Sequence, residues 1–572
     1  MGACVAARYF VSPRGGRRAY PDIASALAAA AGRGRAAVVE VAPGLYEEAL
    51  TVRGDVQLVA LGDPGSVVVS RPGGAVLDAF GSVRVHGLVL IGRDADVVGC
   101  HAGTLTLEHA DIRAHNGVSV HARPNTFVTL RDSLVLHGRA LFDGSHGLVE
   151  RCRFTDATDN AVAAIKGADV SVQDSWIGGS AIHGVRVSGA RARVTGCRLT
   201  DTGRAAVVAD SQAELDVADC VIDVVHAEAV MFVERSRGSV AGTRVTGAQH
   251  GVAVASGADP LVRDCVLSEC HDTGINVQTS GRGRFENCEI HAAKNVAVLS
   301  TKGGAPEVRG CRIVGGNVGI AVVDAARGRF AQVGITGLTS VALRVHDESG
   351  ATFEHVRVER CPVGLETQGN AGTTVDVTDA TFVDFEISAV GAVGRSRATL
   401  RDVAVERGPV GFSVDEEAQL FLQDCRVKAV SAGGVAAFGK ARLVAKNLTV
   451  TGSEAFGLYG TNAAWVDVVD SEFADCAFTG ALFDGKCGGR LESCSVSGSQ
   501  GVAVQHNGLV SLVSLRTSLP VTKRVAQPAG GPTTVINNYS GPQFNAAVYG
   551  AQLAWNNINA IQQQTSEDGA EE

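Results

Sequence analysis

A chain of 572 residues with a formal net charge of −9 lacks the positive field that phosphate backbones attract, which excludes nucleic acid as a leading partner. Hydrophobic residues make up 45% of it and aromatics only 5%, with 70 glycines, 14 prolines and 2 methionines; this palette suits short strands and sharp turns and excludes a bundle of large helices. No apolar run is long enough to span a bilayer. Met1 to Arg8 lack the apolar core of a secretory leader, and Ala6 stands where a myristoylation motif needs Ser or Thr, so a cytoplasmic location without membrane contact is expected.

The first predicted element is a helix within residues 20–32. Pro21 and Asp22 mark its start, Ile23 and Leu27 share a face, and Gly32 ends it, a composition suited to covering the open end of a repeat array. Irregular opening strands follow at Ala37–Glu48 and Val56–Val59, completing an entrance region of residues 1–104. The segment YPDIASALAAAAGRGRAAVVEVAPGLYEEALTVRGDVQLVALG resembles the entrance of pectin-lyase-like β-helix proteins, including pectin methylesterases, and of bacterial β-helix regions attached to AAA-type ATPases.

Residues 105–516 repeat. A small residue followed at the second position by an aliphatic one recurs at Ala110, Ser133, Cys152, Ser175, Cys197, Cys220, Thr243, Cys265, Cys288, Cys311, Gly334, Val356, Ala380, Val403, Cys425, Asn447, Ser471 and Cys494, at spacings clustered around 23 residues. Each unit holds three apolar stretches too short for helices, for example around Val194–Leu199, Ala205–Val208 and Glu214–Val217. Three strands per unit make one coil of a β-helix. The expected fold is all-β, a right-handed parallel β-helix of about 18–20 coils behind a short capping helix. These repeats resemble the carbohydrate-binding and sugar-hydrolase repeats also found in some F-box proteins.

Glycine precedes Val, Ile, Leu or Phe in the middle stretch at Gly117, Gly184, Gly251, Gly274, Gly319, Gly364, Gly411, Gly457 and Gly501, and is expected to supply a turn conformation. Eight of the 14 cysteines share one column, and Cys270, Cys361 and Cys476 a second. With no CxxC pair and no cysteine-histidine cluster at zinc spacing, they read as small buried side chains; no metal and no cofactor are expected.

The catalytic signatures that a resemblance to sugar-cleaving β-helices implies are missing, including Asn-Thr-Asp with Asp-Asp and Gly-His-Gly, and the paired Asp segments of pectin methylesterases. No catalytic residue is assigned. Two polar columns remain. Asp159, His183, Arg204, His226, His250, His271 and Asp272 precede the middle strand and form a candidate ligand-binding stripe for a sugar, an anion or a metal. Asp132, Asp174, Asp219, Asp264, Asp379, Asp402, Asp424 and Asp470 precede the aligned small residue; three in succession suit Ca²⁺, but turn formation explains them more simply.

Residues 517–534, with Pro520, Pro528 and Pro532, read as a linker. Residues 535–572 are rich in Asn and Gln before an acidic end, a composition that favours amide ladders and resembles amyloid-type signalling tails of bacterial immune-like proteins. Candidate self-association residues there are Asn537, Asn538, Tyr539, Phe544, Tyr549, Gln552, Trp555 and Asn556; a cap over the last coil and a disordered tail are the alternatives. The leading expectation is a non-catalytic scaffold for a protein partner, with homo-oligomerisation through the tail. The alternative is a carbohydrate-binding or carbohydrate-cleaving protein whose partner is a polysaccharide.

Overall fold

The computed structural model describes residues 6–523, apart from positions 17, 33, 34 and 371 and the side chain of Val224. They form a parallel β-solenoid of about 21 turns with one short helix, α1 (Ile23–Ala31). The chain divides into two compact units, residues 1–294 and 295–572, both made of the same coil. In the opening region Ala37, Val56, Val83 and Leu105 share one column at unequal spacings of 19, 27 and 22 residues, which hides the period there.

In the first unit one coil consists of strands Trp176–Ser180, Val185–Ser188 and Arg191–Thr195; the next repeats it at Arg198–Thr202, Val207–Asp210 and Glu214–Ala218. Each strand pairs in parallel with its copy one coil on, so Ile177 faces Leu199, Val187 faces Ala209 and Val194 faces Val217. Alternation sends these side chains inward, where all six are buried, and their neighbours outward. The outward positions of the third strand carry a ladder of alternating charge, Asp169, Arg191, Glu214, Arg237 and Asp259. Neighbouring rungs attract, as in the 2.6 Å contact of Arg191 with Glu214, and a one-residue slip exchanges the outward set for the inward one.

The aligned register holds with two corrections. Cys311 pairs in column with Val333, not Gly334, and Cys425 with Leu448, not Asn447, because Arg312 faces Gly334 and Arg426 faces Thr449. Both displaced residues sit at or next to the turn, and the inward column accepts Val and Leu as readily as small residues.

The column just before the inward residue has one backbone state. All eight aspartates named above have φ between 47° and 56°, and His109, Arg151, Gln332, His355 and Asn447 share it. Asp and Asn tolerate this left-handed conformation better than other side chains, so the turn selects them. Their carboxylates are engaged locally: Asp379 Oδ2 lies 2.6 Å from His355 Nδ1, and Asn447 Nδ2 donates to Asp424 Oδ1 at 2.6 Å.

The inward column does more than fill space. Ser133, Ser175 and Ser471 donate to the carbonyl two residues back at 2.7–2.9 Å, and their hydroxyls accept the amide of the column neighbour one coil earlier, Ala110, Cys152 or Leu448. Cysteine makes the same donation through its thiol, as from Cys220 Sγ to Ala218 O at 3.2 Å. Ser, Thr and Cys therefore interchange there because each brings a donor to a buried turn carbonyl.

The middle-strand glycines are explained differently from the expectation. Gly117, Gly184, Gly251, Gly319, Gly364, Gly411, Gly457 and Gly501 do not have positive φ. A Cβ at Gly184 would lie 2.6 Å from the Ala206 carbonyl oxygen of the next coil, and at Gly364 2.3 Å from that of Ala389. Close backbone approach between coils, not a left-handed turn, excludes a side chain.

At the N-terminal end α1 lies over the first strands. Asp22, rather than Pro21, is the N-cap and accepts from Ser25 N at 2.6 Å; Glu48 accepts from Ile23 N and Ala24 N at 3.0 and 2.7 Å. Two carboxylates thus satisfy three orphan amides at the positive end of the helix. Its own Ile23, Ala26, Leu27 and Ala30 are buried. At the other end, Val521–Lys523, within the stretch read as a linker, adds a final strand beside Val502–His506.

Candidate ligand groove

The predicted stripe is not one column. Strand register aligns His183 with Glu228, His250 and Thr273, whereas Asp159, Arg204 and Asp272 fall one residue earlier and His226 and His271 two. Asp159 is engaged by Arg139 and by Asn160. His183 Nδ1 lies 3.2 Å from the Ala205 carbonyl, and burial first of all lowers the imidazole's pKa. Exposed His226 lies 3.4 Å from Asp201, while His250 lies 2.8 Å from Thr273 Oγ1 and 3.8 Å from Asp272. Arg204 and His271 point to solvent. Only His250 and Asp272 come together. Among the described residues no group of three or more His, Cys, Asp or Glu side chains is placed to hold a metal.

A groove that the sequence did not disclose lies in the second unit, on the outer face of the middle strands. Register aligns the outward residues Arg344, Glu366, Gly391, Ser413, Ala436 and Tyr459 in one column. Gly391, Ser413 and Ala436 are small, which sinks the floor. Val410, Ala432 and Ala436 form an apolar cluster against it with Phe438. Aromatic walls close one end: Phe456 and Tyr459 stack at 5.4 Å, and Phe438 meets Tyr459 edge-on at 5.8 Å. The polar groups lining it are Ser388, Ser413, Asp415 and Tyr459. Ser413 Oγ donates to the Val390 carbonyl at 3.3 Å, whereas Ser388 Oγ is buried without a hydrogen-bond partner in the structure.

One rung beyond the floor stands a buried ion cluster. Glu366 is 2% exposed, with Arg344 Nε and His346 Nε2 each 3.3 Å from its carboxylate. Burial, the largest single influence, pushes this carboxyl up; His346 and Arg344 together outweigh it and hold it below the usual range. A carboxylate so enclosed braces the sheet and is out of reach of a ligand. Asp415 is therefore the one carboxylate lining the groove.

The 13 described cysteines are buried. Burial pushes Cys270 and Cys487 up to about 12 and Cys152, Cys425 and Cys476 up to about 11, so these thiols stay protonated and poorly nucleophilic. The proposed self-association residues Asn537, Asn538, Tyr539, Phe544, Tyr549, Gln552, Trp555 and Asn556 lie outside the described residues. Among those described, no helix is long and apolar enough to cross a membrane.

A family model described as "Right handed beta helix region" matches residues 250–405. The fold is a right-handed parallel β-helix. No curated protein matches the chain. Solved structures of similar fold include the catalytic domain of a GH87 α-1,3-glucanase in complex with tetrasaccharides, at 11% identity and a TM-score of 0.32, over 63% of this chain and 66% of that one. A pectate lyase matches at 12% identity and a TM-score of 0.28, over 51% and 78%. PfbA, a surface adhesin of Streptococcus pneumoniae, matches at 10% and 0.31, over 54% and 85%. The chain thus spans just under two thirds of the glucanase domain, and these likenesses are of fold alone.

Proposed function

We propose that the protein binds a carbohydrate chain in the groove over residues 387–459, without cleaving it. The observation that carries this reading is the stacked aromatic wall of Phe456 and Tyr459 at the end of a groove floored by small residues. An aromatic face receives the apolar side of a sugar ring, and the Tyr459 hydroxyl and Asp415 carboxylate in the lining offer hydrogen bonds to its hydroxyls. Cleavage by acid and base calls for two positioned ionisable groups, and the groove lining brings one carboxylate, Asp415. A glycan array followed by calorimetry tests the reading. Binding to at least one neutral or acidic polysaccharide is expected, weakened about ten-fold by Tyr459→Ala, the equivalent of ~1.4 kcal/mol. Silence across the array, or binding indifferent to Tyr459→Ala and Ser413→Leu, contradicts it.

A second reading, a scaffold for a protein partner, draws on Phe127 and Trp465, which stand 56% and 51% exposed in their respective units. A partner captured by the intact chain and lost with Phe127→Ser or Trp465→Ser supports it.

A further inference from the structure

The groove over residues 387–459 is more apolar than a bare sugar ring requires. Val410, Ala432 and Ala436, with Phe438 packed against them, line it with hydrocarbon. A free pyranose carries hydroxyls around its rim, and hydroxyls pressed onto hydrocarbon lose their hydrogen bonds to water without replacement. The charge of the lining is as selective as its apolarity. No basic side chain lines the groove, and its one carboxylate, Asp415, already accepts from Glu416 N at 2.6 Å through Oδ1. The cations nearby are engaged or lie elsewhere: Arg344 Nε is 3.3 Å from Glu366, Arg395 Nε donates to Glu417 at 3.0 Å, and Lys440 lines a separate hollow with Glu416 and Glu417.

Resting on the reading that this groove binds a carbohydrate, we propose that it selects an uncharged, O-acetylated polysaccharide, with an acetyl ester lying on the surface formed by Val410, Ala432 and Ala436. An acetyl ester replaces a hydroxyl with a methyl group and a carbonyl. The methyl group meets the aliphatic side chains, the carbonyl is an acceptor for a hydroxyl such as that of Tyr459, and neither brings a negative charge toward Asp415. A uronate, sulfate or phosphate would set a second negative charge beside Asp415 with no cation in the lining to balance it. A plain alkyl chain would leave Asp415 and the Tyr459 hydroxyl against hydrocarbon. From Gly391 to Tyr459 the floor climbs three coils, about 14 Å, room for a short run of rings with an ester seated among them.

The test measures binding of the full chain by calorimetry to acetylated glucomannan and acetylated xylan, each before and after removal of its acetyl groups with mild alkali, and to polygalacturonate. The acetylated form of at least one chain is expected to bind about ten-fold more tightly than its deacetylated form, with polygalacturonate the weakest. Val410→Thr keeps the side-chain shape but adds a hydroxyl, and is expected to narrow the preference several-fold; Ala436→Asn is expected to abolish it, with circular dichroism showing the β-helix intact in both. Equal affinity for the two forms, tighter binding of polygalacturonate, or a preference that survives Val410→Thr and Ala436→Asn overturns the inference and leaves carbohydrate binding standing. No binding to either form of any chain, together with a silent glycan array, overturns both.

Discussion

The two ends of the solenoid meet the same problem with different material. At the N-terminal end the inward residues Val11, Val39 and Leu58 have the full burial of an interior coil, because α1 lies over them and Asp22 and Glu48 satisfy the helix amides. At the C-terminal end Leu512, Leu515 and Leu519 occupy inward or edge positions and remain half-buried. The difference teaches that stacking alone does not complete a coil: each terminal coil needs a neighbour that supplies both apolar cover and polar partners.

The largest expected effect comes from uncovering the finished end. Leu27→Ala, at a residue 5% exposed, is expected to cost about 2–5 kcal/mol in urea unfolding. A cost below about 1 kcal/mol would show that α1 contributes little, and the contrast between the ends would fail. Next is thiol reactivity in a chain ending at Lys523, where iodoacetamide is expected to modify Cys494 about ten-fold faster than Cys197, because local opening is easiest at an uncovered end. Equal rates would show that the last coil opens no more readily than an interior one. Asp22→Ala is expected to cost about 1 kcal/mol by leaving the Ser25 amide without its acceptor.

The smallest effect is that of alkali. Cys487 titrates from an ordinary value of 9.0 up to about 12 through burial, and Cys476 up to about 11. A thiol whose folded pKa is raised contributes stability that is whole below pH 9 and is lost as pH climbs toward the folded value. Residues 6–99 contain no cysteine, so limited proteolysis at pH 10 should open the coils around Cys476 and Cys487 before those beneath α1. First cleavage beneath α1 would contradict this.

The coil was legible in the sequence because its period is strict and its inward residues are apolar. The slips at Gly334 and Asn447 arose where smallness served as the guide, whereas burial is what the column requires, as Val333 and Leu448 show. The glycine positions were legible but their cause was not: a carbonyl from the adjacent coil leaves no trace in local sequence, and the middle-strand glycines resemble turn formers. The polar stripe dissolved because its members are unequally spaced in sequence, from 21 to 24 residues apart, and so fall at different positions of the turn before the middle strand. Gly391, Ser413 and Ala436 offered a signal for the groove, small residues in outward positions, but it is visible only once inward and outward are known.

The claim beneath all of this is that equivalent residues stand one above another, a single coil apart. Engineered cross-linking measures it directly. Asp169→Cys with Arg191→Cys places two exposed thiols on adjacent rungs, at a spacing of about 4.8 Å that a disulfide spans. Oxidation should join them in nearly every molecule, while Asp169→Cys with Ala192→Cys, whose second side chain faces inward, should stay open. Efficient closure of the second pair, or failure of the first, would contradict the stacking on which the groove and both ends depend.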